Sequence, residues 1–163
     1  MNKTCQLQLR ISAEDKARIR ERAAAAGLDV SKWVLQQVLP PAEQRFQMKC
    51  RELAERPGER SYAFAELHDL FHGLRGQEFE RAVRYPPEIP LPPFEANYLA
   101  AMVEYASKSK GVCPPSWTSS VAALDEPWFA SSLTGLRLYL LTQSPPPFRR
   151  RNLFVDGSVG QRV

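Results

Sequence analysis

TCQLQLRISAEDKARIRERAAAAGLDVSKWVLQQVL, residues 4–39, is the stretch whose reading decides the fold. It opens in strict alternation. Leu7, Leu9 and Ile11 fall on one face of an extended strand and Gln6, Gln8 and Arg10 on the other, since successive side chains point to opposite sides of a strand. The alternation stops at Ser12, whose oxygen suits a helix N-cap, and Glu14 and Asp15 follow in the first turn, where the helix dipole favours negative charge. Ile19, Ala23 and Ala26 then recur at helical spacing, and Gly27 supplies a stop. Asp29 caps a second helix, with Val30, Trp33, Val34 and Val38 as its apolar stripe. The order predicted is a short strand over 5–11, a helix to about residue 26, a tight turn and a second helix.

A lone strand of this kind has no partner within the stretch, and 36 residues bury too little surface to fold alone. The economical solution is a two-fold homodimer in which two such strands pair as an antiparallel ribbon over four helices. With strand, capped helix, glycine turn and capped helix in this order, residues 1–40 resemble the ribbon-helix-helix family of DNA-binding proteins, related in fold to Arc and MetJ. The resemblance implies that the outward side of the ribbon enters the major groove. It also implies that the start of the second helix, at Val30, Ser31 and Lys32, contacts a phosphate through backbone amides, with Lys32 adding charge. Asp29 departs from that pattern, because a Ser or Thr cap would not repel phosphate.

The residue chemistry of the outward face agrees. Gln pairs bidentately with adenine N6 and N7, and Arg with guanine O6 and N7, so Gln6, Gln8 and Arg10 are the candidate base contacts. The competing reading is that they are the solvated side of an amphipathic strand. Charge bears on the choice. The formal net charge is +4, and residues 1–39, with seven Lys or Arg and four Asp or Glu, hold +3 of it. A phosphate-contacting module needs such an excess.

The chain of 163 residues has room for a small unit and a larger one. We divide it into 1–40, a helical connector over 41–84 and a C-terminal domain over 85–163, the whole mainly α. Pro40 and Pro41 end the second helix. Further helices are expected over 42–56, 61–74 and 94–108, with a short helical turn over 77–83. Between them YPPEIPLPPF, residues 85–94, holds five prolines in ten residues. It excludes helix and favours an extended polyproline path, and Tyr85, Ile89, Leu91 and Phe94 are apolar enough to lie across the second domain. Residues 133–141 read as helix and 152–155 as strand or extended chain. No transmembrane run or signal peptide is read, and Cys5, Cys50 and Cys113 are too few and too widely spaced for a disulfide framework or a zinc site. Reduced thiols in a cytoplasmic protein are the expected state.

The tail, with LDEPWF at 124–129 and SPPPFRRRNLFVD at 144–156, resembles a recurrent bacterial family of small proteins that accompany a nucleotidyltransferase-like protein in the manner of a toxin–antitoxin pair. That resemblance implies a protein partner for the C-terminal domain. Arg149, Arg150 and Arg151 are three adjacent guanidinium groups that suit a phosphate or an acidic patch on a partner, or else pair with Asp125, Glu126 or Asp156 in a basic turn. Trp117, Trp128 and Phe129 are core anchors or interface anchors.

Catalytic and metal signals are thin. His68 and His72 have the i, i+4 spacing of two ligands on one helix, but no Glu follows His68 and no third ligand is placed. Asp125 and Glu126 are neighbours before Pro127, an arrangement that suits a turn. There is no GxSxG elbow and no phosphate-cradling glycine loop. The reading is therefore a non-enzymatic, cofactor-free transcriptional repressor, the autoregulating antitoxin of a pair, binding operator DNA as a homodimer and a toxin through its C-terminal domain. The alternatives are a repressor that senses a small ligand, and an enzyme built on the C-terminal domain around His68, Asp125 and residues 149–151.

Overall fold

The computed structural model describes Gln8, residues 10–38 and residues 41–157. It is mainly helical and divides into two compact units, 1–40 and 41–163.

In the first unit, α1 (Ala13–Ala25) and α2 (Val30–Val38) form a pair joined by a tight turn. Ser12 caps α1: its Oγ accepts the Asp15 amide at 3.0 Å and its hydroxyl donates to the Asp15 carboxylate at 2.6 Å. The helix ends because Gly27 takes φ +66°, a left-handed conformation that crowds any residue with a Cβ. That turn brings the Gly27 amide to the Ala24 carbonyl and the Leu28 amide to the Ala23 carbonyl, each at 3.0 Å, so two end carbonyls of the helix are satisfied. The strand expected over 5–11 lies mostly outside the described residues; Gln8, Arg10 and Ile11 belong to no helix or strand. Only Ala23 of α1 is fully buried, while Ile11, Leu35 and Val38 remain 48%, 46% and 71% exposed. A single copy of this unit thus leaves much of its apolar stripe uncovered.

The second unit is built round α6 (Pro93–Lys110). Prolines suit its start because the amide they lack would have no acceptor within the first helical turn, and Gly111 at φ +65° ends it. Nine of its residues are buried, among them Leu99 and Val103. Against it pack α4 (Arg60–Gly73) and α5 (Gly76–Ala82), and α3 (Ala42–Glu55) packs on those two; together they contribute Phe46, Leu53, Leu67 and Phe79 to the core. The chain then runs through α7 (Arg137–Gln143) and α8 (Pro146–Arg149), and Phe148, Leu153 and Val155 complete the same core. Residues 41–84 and 85–163, separated in the sequence reading, therefore share one hydrophobic interior.

The proline-rich segment is strapped down rather than free. The Gln47 side chain donates to the Pro86 carbonyl and accepts the Glu88 amide, both at 3.0 Å, and Leu91 packs on the core. A primary amide with both a donor and an acceptor is well suited to hold a segment whose prolines offer only carbonyls. The C-terminal extended chain is a strand, β2 (Leu153–Phe154), and it pairs in parallel with β1 (Trp128–Phe129), which the sequence reading did not anticipate. Trp128 lies opposite Leu153 and Phe129 opposite Phe154. The helix expected over 133–141 is a 3-10 turn, Thr134–Leu136, running into α7.

Candidate nucleic-acid interface and aromatic groove

The start of α2 is organised by Asp29. Its Oδ1 accepts the Lys32 amide at 2.9 Å and its Oδ2 lies 3.5 Å from Lys32 Nζ. A helix start offers unpaired amides to an anion, but here the Lys32 amide is already engaged by the Asp29 carboxylate. Val30, Ser31 and Lys32 are all exposed, as are Gln8 and Arg10; Gln6 lies outside the described residues. The Asp29–Lys32 pair is surface-exposed and holds Lys32 only weakly, so a stronger anion can take it over.

The run at residues 149–151 is divided by the fold. Arg151 turns inward: its guanidinium donates to Glu104 Oε1 at 2.7 Å, to the Thr118 carbonyl at 2.6 Å and to the Val121 carbonyl at 3.2 Å. Arg150 also donates to Glu104 but keeps 61% of its side chain exposed. Burial pushes the Glu104 carboxyl up, yet hydrogen bonds from Arg150, Arg151 and Thr118 and the Arg151 charge outweigh it and hold the group below its ordinary value. Arg151 is thus a structural ion-pair partner of α6, and only Arg149 and Arg150 face solvent. Trp117 and Trp128 likewise serve the interior: Trp117 donates its indole N–H to the Val83 carbonyl at 2.9 Å, and Trp128 packs edge-on against Phe94 at 4.9 Å.

His68 and His72 stand on α4 with ring centroids 6.4 Å apart. No cluster of three or more His, Cys, Asp or Glu that can hold a metal occurs among the described residues. Both rings instead line a groove of about 910 Å³ between α4 and α6. Its walls are Phe64, Tyr98, Met102 and Tyr105, with Trp128 and Phe148 closing in from the later segments. Arg60 lies at one end, 4.7 Å over the Phe94 ring, and Lys110 at the other, donating to the Leu74 carbonyl at 2.7 Å. Burial lowers the Lys110 pKa and raises that of Tyr98. Asp125 and residues 149–151, nominated with His68 for an enzymatic centre, do not line this groove. The groove escaped the sequence reading, although its walls were present as the helical stripes through Phe64 and through Tyr98, Met102 and Tyr105; nothing local tells which stripe is left uncovered.

Among the described residues the first unit is a pair of capped helices, and the strand that would complete a ribbon-helix-helix unit lies mostly outside them. Residues 1–42, about a quarter of the chain, match the NikA-like family, described as mobilization protein NikA, and this is consistent with an N-terminal DNA-binding domain of that class. No curated protein and no solved structure gives a significant match. Among the described residues no helix is long and apolar enough to cross a membrane.

Proposed function

We propose that this chain is a cytoplasmic, homodimeric DNA-binding repressor that reads a specific duplex through its first unit and holds a protein partner through its second, in the manner of an autoregulating antitoxin. The observation that carries the DNA-binding part is the coincidence of the family match over 1–42 with the capped helix pair α1–α2. The exposed apolar stripe of that pair supports a dimer, and the resemblance of the tail at residues 124–156 supports a protein partner. Gln6, Gln8 and Arg10 are the base-reading residues, and the start of α2 positions the unit on the phosphate backbone. The role is one of binding, without a reaction step. A toxin bound to the second unit changes DNA affinity only if it binds the free and DNA-bound forms differently.

Titrations on an operator duplex and a scrambled duplex at several salt concentrations test this. Arg10→Ala is expected to lose about 1–3 kcal/mol of discrimination at one base position. Lys32→Ala is expected to weaken both duplexes alike and to reduce the salt slope by roughly one. Equal losses on the two duplexes for Gln8→Ala and Arg10→Ala would show that this segment does not read sequence.

A second reading follows from the printed description of the matched family: an accessory DNA-binding protein in DNA mobilization. The duplex selected from a fragment library separates the two. A site upstream of the chain's own coding sequence supports the repressor, and a transfer origin supports the accessory role.

A further inference from the structure

We propose that the groove between α4 and α6 seats an amphipathic helix of another protein, apolar along one face and acidic at the end that meets Lys110. The proposal rests on the protein-partner reading above and gives it a location.

The shape comes first. α4 and α6 run side by side in the same direction: Arg60 Nη1 lies 3.4 Å from Glu95 near their starts, and Lys110 Nζ reaches the Leu74 carbonyl just past the end of α4. The groove follows α4 from Arg60 to His72, about 18 Å at 1.5 Å per residue. That is the length of three helical turns, and a compact metabolite fills only part of it. The floor is apolar and aromatic, as helix-in-groove recognition requires of a surface that receives anchors at i, i+3 or i+4, and i+7.

Charge then selects the occupant. The uncompensated cation stands at one end. Arg60 already pairs with the buried Glu95 carboxylate, whereas the hydrogen-bond partner of Lys110 is a neutral carbonyl. Asp69 stands on the ridge of α4 that this groove shares with a smaller cleft, so an acid suits the Lys110 end and not the ridge side. A second copy of this chain is a poor occupant. Its own exposed apolar stretch, Leu133, Leu136, Leu138 and Leu141, has Arg137 as the one charged residue within 131–143 and no acid.

Binding to the full-length protein tests the assignment. The probes are a labelled synthetic 14-residue helix with leucines on one face and Glu residues at one end, its twin with Lys in their place, and anilinonaphthalene sulfonate as a small aromatic anion. The Glu-ended peptide is expected to bind one per chain, at least tenfold more tightly than its twin, and to displace the dye if the dye binds. Ala65→Arg, which adds bulk at an exposed position on the groove edge, is expected to abolish this while leaving the circular dichroism unchanged. Lys110→Glu is expected to reverse the preference between the peptides. Equal affinity for the two peptides, binding of neither, or stoichiometric dye binding that the peptide does not displace overturns the proposal. So does a change in assembly mass on Ala65→Arg, which would make the groove a contact between copies. A co-purifying partner retained by Ala65→Arg removes the groove from the interaction and leaves the partner reading standing, whereas absence of any partner from the wild type brings down that reading itself.

Discussion

Glu104 lies buried on α6 and takes guanidinium groups from 46 and 47 residues further along the chain. Removing one member of a buried ion pair leaves the other uncompensated, so Glu104→Ala is expected to cost about 3–5 kcal/mol in a denaturant titration. The pH dependence follows from the same contacts. The Glu104 pKa is depressed in the folded state, so its contribution is fully present above the unfolded value near 4.5 and is lost as pH falls through the folded value. Melting temperatures measured from pH 7 to pH 3 should show that loss at the acid end, and Glu104→Gln should flatten it. Asn152 is a second sensitive residue. It holds φ +58° and donates its amide to the Leu124 carbonyl at 2.6 Å. Asn152→Ala meets the left-handed penalty and loses the bond, for roughly 1–3 kcal/mol, while Asn152→Gly should lose less because it relieves the backbone. Local sequence marked the three arginines as one basic group. It did not mark Arg151 as internal, since the carboxylate that buries it lies on a distant helix.

At the scale of elements, the helix starts and stops of the first unit were legible because their causes are local: Ser12 to Asp15, Asp29 to Lys32, and the left-handed Gly27 all act within a few residues. Gly27→Ala should destabilise that turn by roughly 1–2 kcal/mol, read as a lower melting temperature. Asp29 offers a sharper test. Asp29→Ser keeps a capping oxygen and removes the carboxylate beside Lys32, so it is expected to tighten binding to operator and scrambled duplexes alike with little change in helix content. A fall in affinity would mean that the start of α2 does not face phosphate. The strand β1 was illegible for the opposite reason: its partner β2 lies 25 residues away, and two residues carry no periodicity. Phe64 and Tyr98 read as plain helical core stripes, yet they line an open groove together with Phe94 from the proline-rich segment. Which stripe stays uncovered is decided by the packing of three or more elements and not by any one of them.

For the whole molecule, the division at Pro40 and Pro41 matters more than the proline-rich segment. A truncation near residue 85 would cut through a core that Phe46 and Leu67 share with Leu99 and Phe148; a fragment ending at residue 40 respects the boundary. The short fragment is expected to melt at a temperature that rises with concentration, because its folding is coupled to dimerisation, while residues 41–163 should melt independently of concentration. A fragment of 1–40 that stays monomeric with a constant melting temperature would refute the dimer.

The insertion of Phe148, Leu153 and Val155 into the core of the second unit has a consequence for the order in which the protein comes into being. The ribosome delivers residues 1–40 first, and at about 5–20 residues per second the segment that closes the other core follows roughly 5–25 s later. During that interval the nascent chain presents a finished N-terminal segment tethered to an unfinished C-terminal body. If the first unit dimerises and the second holds a partner, as proposed, two chains on neighbouring ribosomes would have time to meet through the first before either could engage a partner through the second.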